Sequence, residues 1–185
     1  AAGTGGALLI QNLKAYALAG SITQNKFISN IADIGGAIYI ENIYITRLTI
    51  ANNDFDSKLP DYANSVQKGV FIYTQSIKYR NWVSKSLFQI ANSTIRFWNS
   101  ATLVDSMIGI GDVASIMLNN LTFIQLNDFA AASTLINVAN SRVQLASIQI
   151  SGLQSSPLIY IRDGAQVSME SSNINTNIIP SGGCL

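Results

Sequence analysis

The carboxylates with the spacing best suited to chemistry are Asp54 and Asp56, in the polar segment 52–61. Two aspartates at i and i+2 of an extended chain share a face, where they could ligate Ca²⁺ or act as an acid and base pair. The alternative, which we favour, is a solvated loop, because residues 55–68 form the longest predicted insertion. The sequence contains no His, which removes imidazole base chemistry and ordinary zinc sites. No cofactor is predicted.

A second group combines cations with aromatic rings and has no acidic residue between its basic members. Flat aromatic rings beside cations can stack on sugars and hold anionic groups. The competing interpretation, which we favour, is that the rings pack under a loop or into the core while the cations are solvated. The candidate contacts for a glycan or an anion are Lys78, Tyr79, Arg80, Trp82, Arg96 and Trp98.

Two further motifs have chemical interpretations. Asn92 and Asn120 each begin an Asn-x-Ser/Thr sequon and would accept N-linked glycans in a eukaryotic secreted protein, although a chain rich in Asn, Ser and Thr produces such matches by chance. Residues 109–114 read Gly-Ile-Gly-Asp-Val-Ala, which fits a dinucleotide-binding pattern. That pattern needs a helix after it to hold the pyrophosphate, and the following residues do not favour one, so we predict a flexible corner instead.

The elements that would position these residues are set by an internal repeat. Gly35-Gly36-Ala37-Ile38 repeats Gly5-Gly6-Ala7-Leu8 after 30 residues, and a weaker copy ends the chain at 182–185. Aligning every small-then-aliphatic step gives units of 23–33 residues. The steps are anchored at Ala7, Ala37, Val70, Leu103, Leu135, Leu158 and Cys184. A repeat of this length is typical of stacked structural units.

Each unit begins with a strand-like alternation of apolar and mixed positions, and amphipathic helical windows are missing. We therefore predict an all-β fold, a single right-handed parallel β-helix over residues 1–185 with about six coils. Its inward column is predicted to contain Leu8, Ile38, Phe71, Val104, Ile136 and Ile159. Glycines that enter the strands are predicted to form tight corners; they are Gly6, Gly36, Gly69 and Gly183.

The segment Phe27-Ile28-Ser29-Asn30 followed by Gly35-Gly36-Ala37-Ile38 resembles the Phe-x-x-Asn and Gly-Gly-Ala-Ile repeats of polymorphic outer-membrane protein passengers and other surface β-helix proteins of the pectin lyase-like type. The resemblance covers about residues 5–40. It implies a right-handed β-helix, and a surface-exposed stalk or adhesive segment that is largely non-catalytic.

Composition narrows the expected partners. Only 11% of the residues are charged and the net charge is +1, so nothing favours nucleic acid or an anionic membrane. No apolar run is long enough for a transmembrane span. We expect an extracellular or cell-surface segment of a longer rod, whose partners are copies of itself or adjoining coils end to end, and glycans as a further option.

Two functions remain open at this stage. The first is a structural or adhesive building segment of an extracellular fibre, coat or stalk. The second is a carbohydrate-active β-helix enzyme, a polysaccharide lyase or glycoside hydrolase, or a glycan-binding module. An enzyme should carry several charged residues on one face of consecutive coils. The predicted outward column contains no such cluster, which favours the structural function; its members are Gln11, Glu41, Thr74, Met107, Ala139 and Arg162.

Overall fold

All regular elements in the described residues are β-strands. The computed structural model describes residues 6–11, 19–30, 32–43, 47–58, 68–77, 88–98, 105–126, 134–153 and 158–176. The strands are β1 (Leu8–Gln11), β2 (Ala19–Thr23), β3 (Lys26–Ile28), β4 (Ile38–Glu41), β5 (Arg47–Ala51), β6 (Asp54–Lys58), β7 (Ile72–Gln75), β8 (Phe88–Trp98), β9 (Ser106–Gly111), β10 (Ile116–Gln125), β11 (Thr134–Ala139), β12 (Arg142–Ala146), β13 (Gln149–Leu153), β14 (Ile159–Arg162), β15 (Gln166–Glu170) and β16 (Asn173–Thr176).

The strands form two parallel sheets. The first has six strands in the order β1-β4-β7-β9-β11-β14, and the main path of the second runs β15-β12-β10-β8-β5-β2. A third strip extends the second sheet: β3 pairs with β6, β6 with the second half of β8, β8 with β10, then β13 and β16 follow. Neighbours in a sheet are thus always separated by other strands in the chain. The all-β prediction is confirmed, and parallel sheets with this order are compatible with a β-helix.

The inward face of the six-stranded sheet is an apolar column. Aliphatic side chains recur at every second residue, so each strand presents one apolar face to the core. The column is Leu8, Ile38, Ile72, Ile108, Ile136 and Ile159. Its four middle members are at most 1% exposed. Four of the six predicted members are therefore in the predicted column.

The prediction is wrong for the third and fourth strands of that sheet. Phe71 is buried, but it lies one residue before the column position, which Ile72 occupies. Val70, Phe71 and Ile72 are consecutive apolar residues, so alternation alone could not fix the register. In the next strand Ile108 takes the position predicted for Val104, which lies outside the described residues. The small residue that enters this strand is Ser106, whose hydroxyl accepts a hydrogen bond from the Gly69 N–H (3.2 Å).

Two sets of corners turn the chain with left-handed residues rather than glycine. Asn, Asp and Ser tolerate positive φ better than branched residues, because their short polar side chains bond locally. The corner after the six-stranded sheet uses Asn42, Ser76, Asp112, Asn140 and Asp163, and the corner inside the second sheet uses Gln24, Asn52, Asn92, Asn120, Ser147 and Ser171. Corner N–H groups donate to the next strand unit, as Asn52 N–H does to the Ala91 carbonyl (3.1 Å).

The predicted glycine corners differ from one another. Gly69 has φ +56° and Gly35 has φ +62°, so the left-handed residue in the second unit is Gly35 and not Gly36. At Gly36 the constraint is space, because a Cβ would lie 2.2 Å from the Val70 carbonyl oxygen. Gly6 is exposed, with its N–H bonded to the Gly35 carbonyl (3.2 Å). Gly183 lies outside the described residues.

An internal ladder of polar side chains satisfies the backbone at the second-sheet corner. The Asn53 Oδ1 accepts bonds from the N–H of Asn25 (3.0 Å) and from its Nδ2 (3.2 Å). The Asn53 N–H in turn donates to the Ser93 hydroxyl (3.2 Å), and Asn53 is only 3% exposed. Buried amide groups of this kind are stable only when their bonds are made, and here they are.

Two loop predictions are wrong in part. Gly109 and Gly111 lie inside β9, and strand β10 follows where a dinucleotide site would need a helix. Residues 55–58, the start of the predicted insertion, belong to strand β6. Residues 59–67 lie outside the described part of the chain.

Candidate functional site

The paired aspartates lie on the outer face of β6. Phe55 between them is fully buried, which points Asp54 and Asp56 outward together, as the i and i+2 spacing predicted. Asp54 pairs across the sheet with Thr94, and Asp56 pairs with Arg96. The guanidinium of Arg96 reaches diagonally to Asp54, where Nη1 donates to Oδ1 in a salt bridge.

This pairing changes the interpretation of the aspartates. The carboxylate of Asp54 is neutralised by Arg96 on the next strand. On its other side, Lys26 is the register partner of Asp54 in β3. Among the described residues, no group of three or more carboxylates or thiols is placed to hold a metal ion. Asp54 and Asp56 as a calcium site therefore stay a prediction, and a bound cation would have to compete with Arg96.

The ion pair should contribute little to stability. Its side chains are 36% and 39% exposed, and solvent screens charges at such positions. We expect Asp54→Asn and Arg96→Gln each to lower the free energy of unfolding. In a double-mutant cycle, the coupling energy between the two substitutions should be below about 1 kcal/mol. Urea unfolding of the four proteins measures this coupling. A coupling of several kcal/mol would show that the pair is buried in solution and is structurally essential.

The aromatic and basic group is only partly described. Arg96 is the salt-bridge partner of Asp54, and Trp98 ends β8. The other four members lie outside the described residues, namely Lys78, Tyr79, Arg80 and Trp82. The structure therefore places Arg96 in an ion pair with Asp54 on the third strip. Contact of this group with glycans or anions stays a prediction.

The two sequon asparagines are neighbours in space. Asn92 and Asn120 occupy consecutive left-handed corners, with φ +47° and +50°, and both are exposed. The Asn120 Nδ2 donates to the Asn92 Oδ1 (3.0 Å) although the residues are 28 apart in sequence. The corner conformation and this external ladder give both asparagines a structural role, and their modification remains a prediction.

The outer face of the six-stranded sheet carries a polar and aromatic surface that sequence reasoning missed, and much of it is covered, since Tyr39 and Asn137 are only 3% and 4% exposed. Tyr39, Tyr73, Gly109, Asn137 and Tyr160 form one outward column. The Tyr73 ring lies over Gly109, where a Cβ would come within 2.3 Å of Cδ2, and it is 5.8 Å from the Tyr39 ring. Gly109 thus makes room for an aromatic ring of the neighbouring strand.

A hydrogen-bonded chain of polar groups crosses the next strands of this face. The Asn137 Nδ2 donates to the Asp105 Oδ2 (2.9 Å), and the Asn137 Oδ1 accepts from Arg162 Nε (3.3 Å). Asn137 is 4% exposed, so the centre of this network is withdrawn from water, whereas the Arg162 side chain at its edge is 42% exposed. Burial also raises the pKa of Tyr73, and the charge of Arg162 partly opposes that rise. Tyr73 stays a neutral phenol that can donate or accept a hydrogen bond.

The register error explains why this surface was missed. The predicted outward column placed Thr74 and Met107 beside Glu41 and Arg162; the column actually continues through Gln75 and Gly111. Thr74 faces the core, and Met107 is fully buried. The acidic Asp105 and basic Arg162 lie two strands apart and meet only through Asn137. A signal that could have indicated them is the pair of glycines in β9, which have no side chain to cover the sheet.

Comparisons with protein-family models, with curated proteins and with solved structures find no match to this chain. The family resemblance of residues 5–40 therefore remains a hypothesis. In the part of the chain that the structure describes, no helix has the length and the apolar sequence that a membrane span requires.

Proposed function

We propose that this chain is a segment of a right-handed parallel β-helix of about six coils that serves as a structural or adhesive element of an extracellular fibre, coat or stalk. One observation supports this above the others: the apolar inward column of the six-stranded sheet runs without interruption through all six strands. Each strand unit adds the same inward residue type, so the architecture can be extended without changing its core.

The outer surface agrees with a role based on shape. Two ion pairs lie on this surface, one between Arg96 and Asp54 and one between Arg162 and Asp163 (3.1 Å). The corners present exposed amides and carboxylates that bond to one another along the stack, as Asn140 does to Asp112 (2.7 Å). Such ladders stabilise the stack itself and provide a hydrophilic exterior.

Immunogold electron microscopy of intact source cells tests this proposal. An antibody raised against the chain should label fibres, a coat or projections on the cell surface. Labelling confined to the cell interior would overturn the extracellular structural function.

The second candidate is a carbohydrate-active enzyme or glycan-binding module, favoured by the Tyr73 ring and the Asp105–Asn137–Arg162 network on one outer face. Aromatic faces and planar hydrogen-bonding groups are suited to sugar rings. We expect no cleavage products when the chain is incubated with acidic and neutral polysaccharides and the mixtures are separated by chromatography. Products lost on Asp54→Ala would contradict the non-catalytic function, and weak retention lost on Tyr73→Ala would favour glycan binding.

A further inference from the structure

The large apolar side chains that remain exposed lie mostly on the first and last strands of the stack. Leu9 is 44% exposed on β1 and Ile28 is 63% exposed on β3, while Tyr160 and Ile161 are 49% and 46% exposed on β14. Leu126, at 39%, is the exception among the described residues. In the middle of the stack the columns of Leu9, Tyr160 and Ile161 are better covered, since Tyr39 and Asn137 are 3% and 4% exposed and Val138 is 0% exposed. Ile28 differs, because it lies in an outward column whose middle members Asp56 and Arg96 are also partly exposed. The exposure of Leu9, Tyr160 and Ile161 is therefore a property of the ends of the stack.

Each end is a set of strand edges and half-buried core residues. We define the N-terminal face by β1, β2 and β3, and the C-terminal face by β14, β15 and β16, where the strand orders stop. Within the described residues no further strand pairs with these edges. Most inward residues of the two faces are only partly buried although they pack on the core, and Ile159, at 5% exposed, is an exception. The partly buried ones include Leu8, Ile10, Ile22 and Phe27 at one end and Val167, Met169 and Ile174 at the other. Free strand edges with apolar neighbours favour association.

The two faces are complementary in register. When the strand pairing is followed through the stack, each inward residue of the first strands lies in the same column as an inward residue of the last strands. Following the pairing through the sheets gives Leu8 with Ile159, Ile10 with Ile161, Gly20 with Val167, Ile22 with Met169 and Phe27 with Ile174. Gly20 is the small member opposite Val167. On the outer side, Leu9 and Tyr160 share a column.

The polar ladder has matching ends as well. At both ends of this column a corner N–H donates to the side-chain oxygen of the next unit, as Asn25 N–H does to the Asn53 Oδ1 (3.0 Å) and Ile148 N–H does to the Ser172 hydroxyl (3.2 Å). Leu121 and Ile148 interrupt the ladder in the middle, because their side chains have no oxygen. Ser172 is the last member of this column and Asn25 is the first. If the C-terminal face met an N-terminal face, the Ser172 N–H would lie opposite the Asn25 side-chain amide oxygen and extend the ladder in the same direction.

We propose that the C-terminal face of one copy binds the N-terminal face of a second copy, with β14 beside β1, β15 beside β2 and β16 beside β3. This deepens the proposed structural function, on which it rests, by naming the partner and its polarity. The contact uses two different surfaces of the same chain, so every added copy leaves one face of each kind at the ends. Association is therefore open and produces rods and not closed dimers.

Sedimentation velocity of the 185-residue chain over a concentration series tests the proposal. We expect the mean mass to rise steadily with concentration above that of the monomer, and negative-stain images to show rods of constant width. Leu9→Lys, at one face, and Tyr160→Glu, at the other, should each weaken association at least about tenfold, because each buries a charge among apolar groups. Leu126→Lys, an equally exposed apolar site away from both faces, is the matched control and should associate as the unchanged chain does.

Mixing the two variants determines the polarity. Leu9 of one copy would face Tyr160 of the next, so a mixture of the Leu9→Lys and Tyr160→Glu chains should recover association through a lysine–glutamate pair. If only one substitution blocks association, the copies meet through like faces and the head-to-tail proposal is wrong. If the unchanged chain stays monomeric with an intact β-sheet circular dichroism spectrum, the self-association proposal is overturned. That result would leave the proposed structural function open, because the chain could still stack on adjoining coils, and the immunogold labelling of the cell surface tests that function separately.

Discussion

Replacing Phe55 by Ala is expected to lower the free energy of unfolding by about 3–5 kcal/mol. Phe55 is completely buried in the third strip. Its ring stacks on Phe27 at 4.9 Å and meets the edge of Phe71 at 6.0 Å. Truncation removes the transfer free energy of the ring and leaves a cavity that parallel strands on both sides cannot close, because their spacing is fixed by the backbone hydrogen bonds.

Urea unfolding followed by circular dichroism measures this loss, with the slope of the transition as a check that the unfolding process is unchanged. Phe27→Ala is the matched control, since Phe27 is the same residue type in the same column at the half-buried end of the stack. Its truncation should cost clearly less in the dilute monomer. Equal losses at both positions would mean that Phe27 is covered in solution as thoroughly as Phe55.

The inward column of the six-stranded sheet was predictable from the sequence where the strand directly follows a small or turn-forming residue and one aliphatic residue. A glycine entry alone was not sufficient, because Gly69 precedes the strand whose register was predicted wrongly. Ile38, Ile136 and Ile159 lie in the predicted column because each follows one small-then-aliphatic step at the start of a strand. The prediction of the register failed at the third strand, where Val70, Phe71 and Ile72 are consecutive apolar residues and more than one alignment is equally apolar. Only the pairing of Ile72 with the neighbouring strands identifies it as the residue in the column. Local alternation determines which residues can form a strand, and the inter-strand pairing determines which of them share a column.

The corners were predicted from glycine alone, and this missed most of them. Left-handed residues such as Asn52 and Asn140 are amides that tolerate positive φ and bond to their neighbours in the stack. In the sequence they resemble ordinary polar loop residues. Aligning the asparagine and aspartate positions between repeats, in addition to the glycines, would have revealed both corner series.

The candidate sites depended on contacts that no single repeat contains. Asp54 and Arg96 are 42 residues apart and meet diagonally between two strands of the third strip. The network around Asn137 joins three units of the six-stranded sheet. Spacing within the chain could place Asp54 and Asp56 on one face, but the partner that neutralises Asp54 follows from the register of distant strands.

Replacing Gly36 by Ala is expected to lower the free energy of unfolding by about 1–3 kcal/mol, with a larger loss for Val. The new Cβ would lie 2.2 Å from the Val70 carbonyl oxygen and 3.2 Å from the Asn30 carbonyl oxygen. Both atoms belong to the backbone, so a strand must move to make room. Gly36 N–H bonds to the Gly69 carbonyl (3.3 Å), and the movement would strain this bond at the entry to β4.

Gly111→Ala is the matched control for Gly36→Ala, because the chemical change is identical and the surroundings differ. At Gly111 a Cβ would meet nothing closer than 3.8 Å, and the backbone there is not left-handed. Alanine at this strand position should leave stability unchanged or raise it by up to about 1 kcal/mol, since it restricts the unfolded chain. Thermal and urea unfolding of both variants gives the comparison. Equal melting temperatures for the two variants would contradict the close approach of Gly36 to Val70, and with it the register of the second and third strands of the six-stranded sheet.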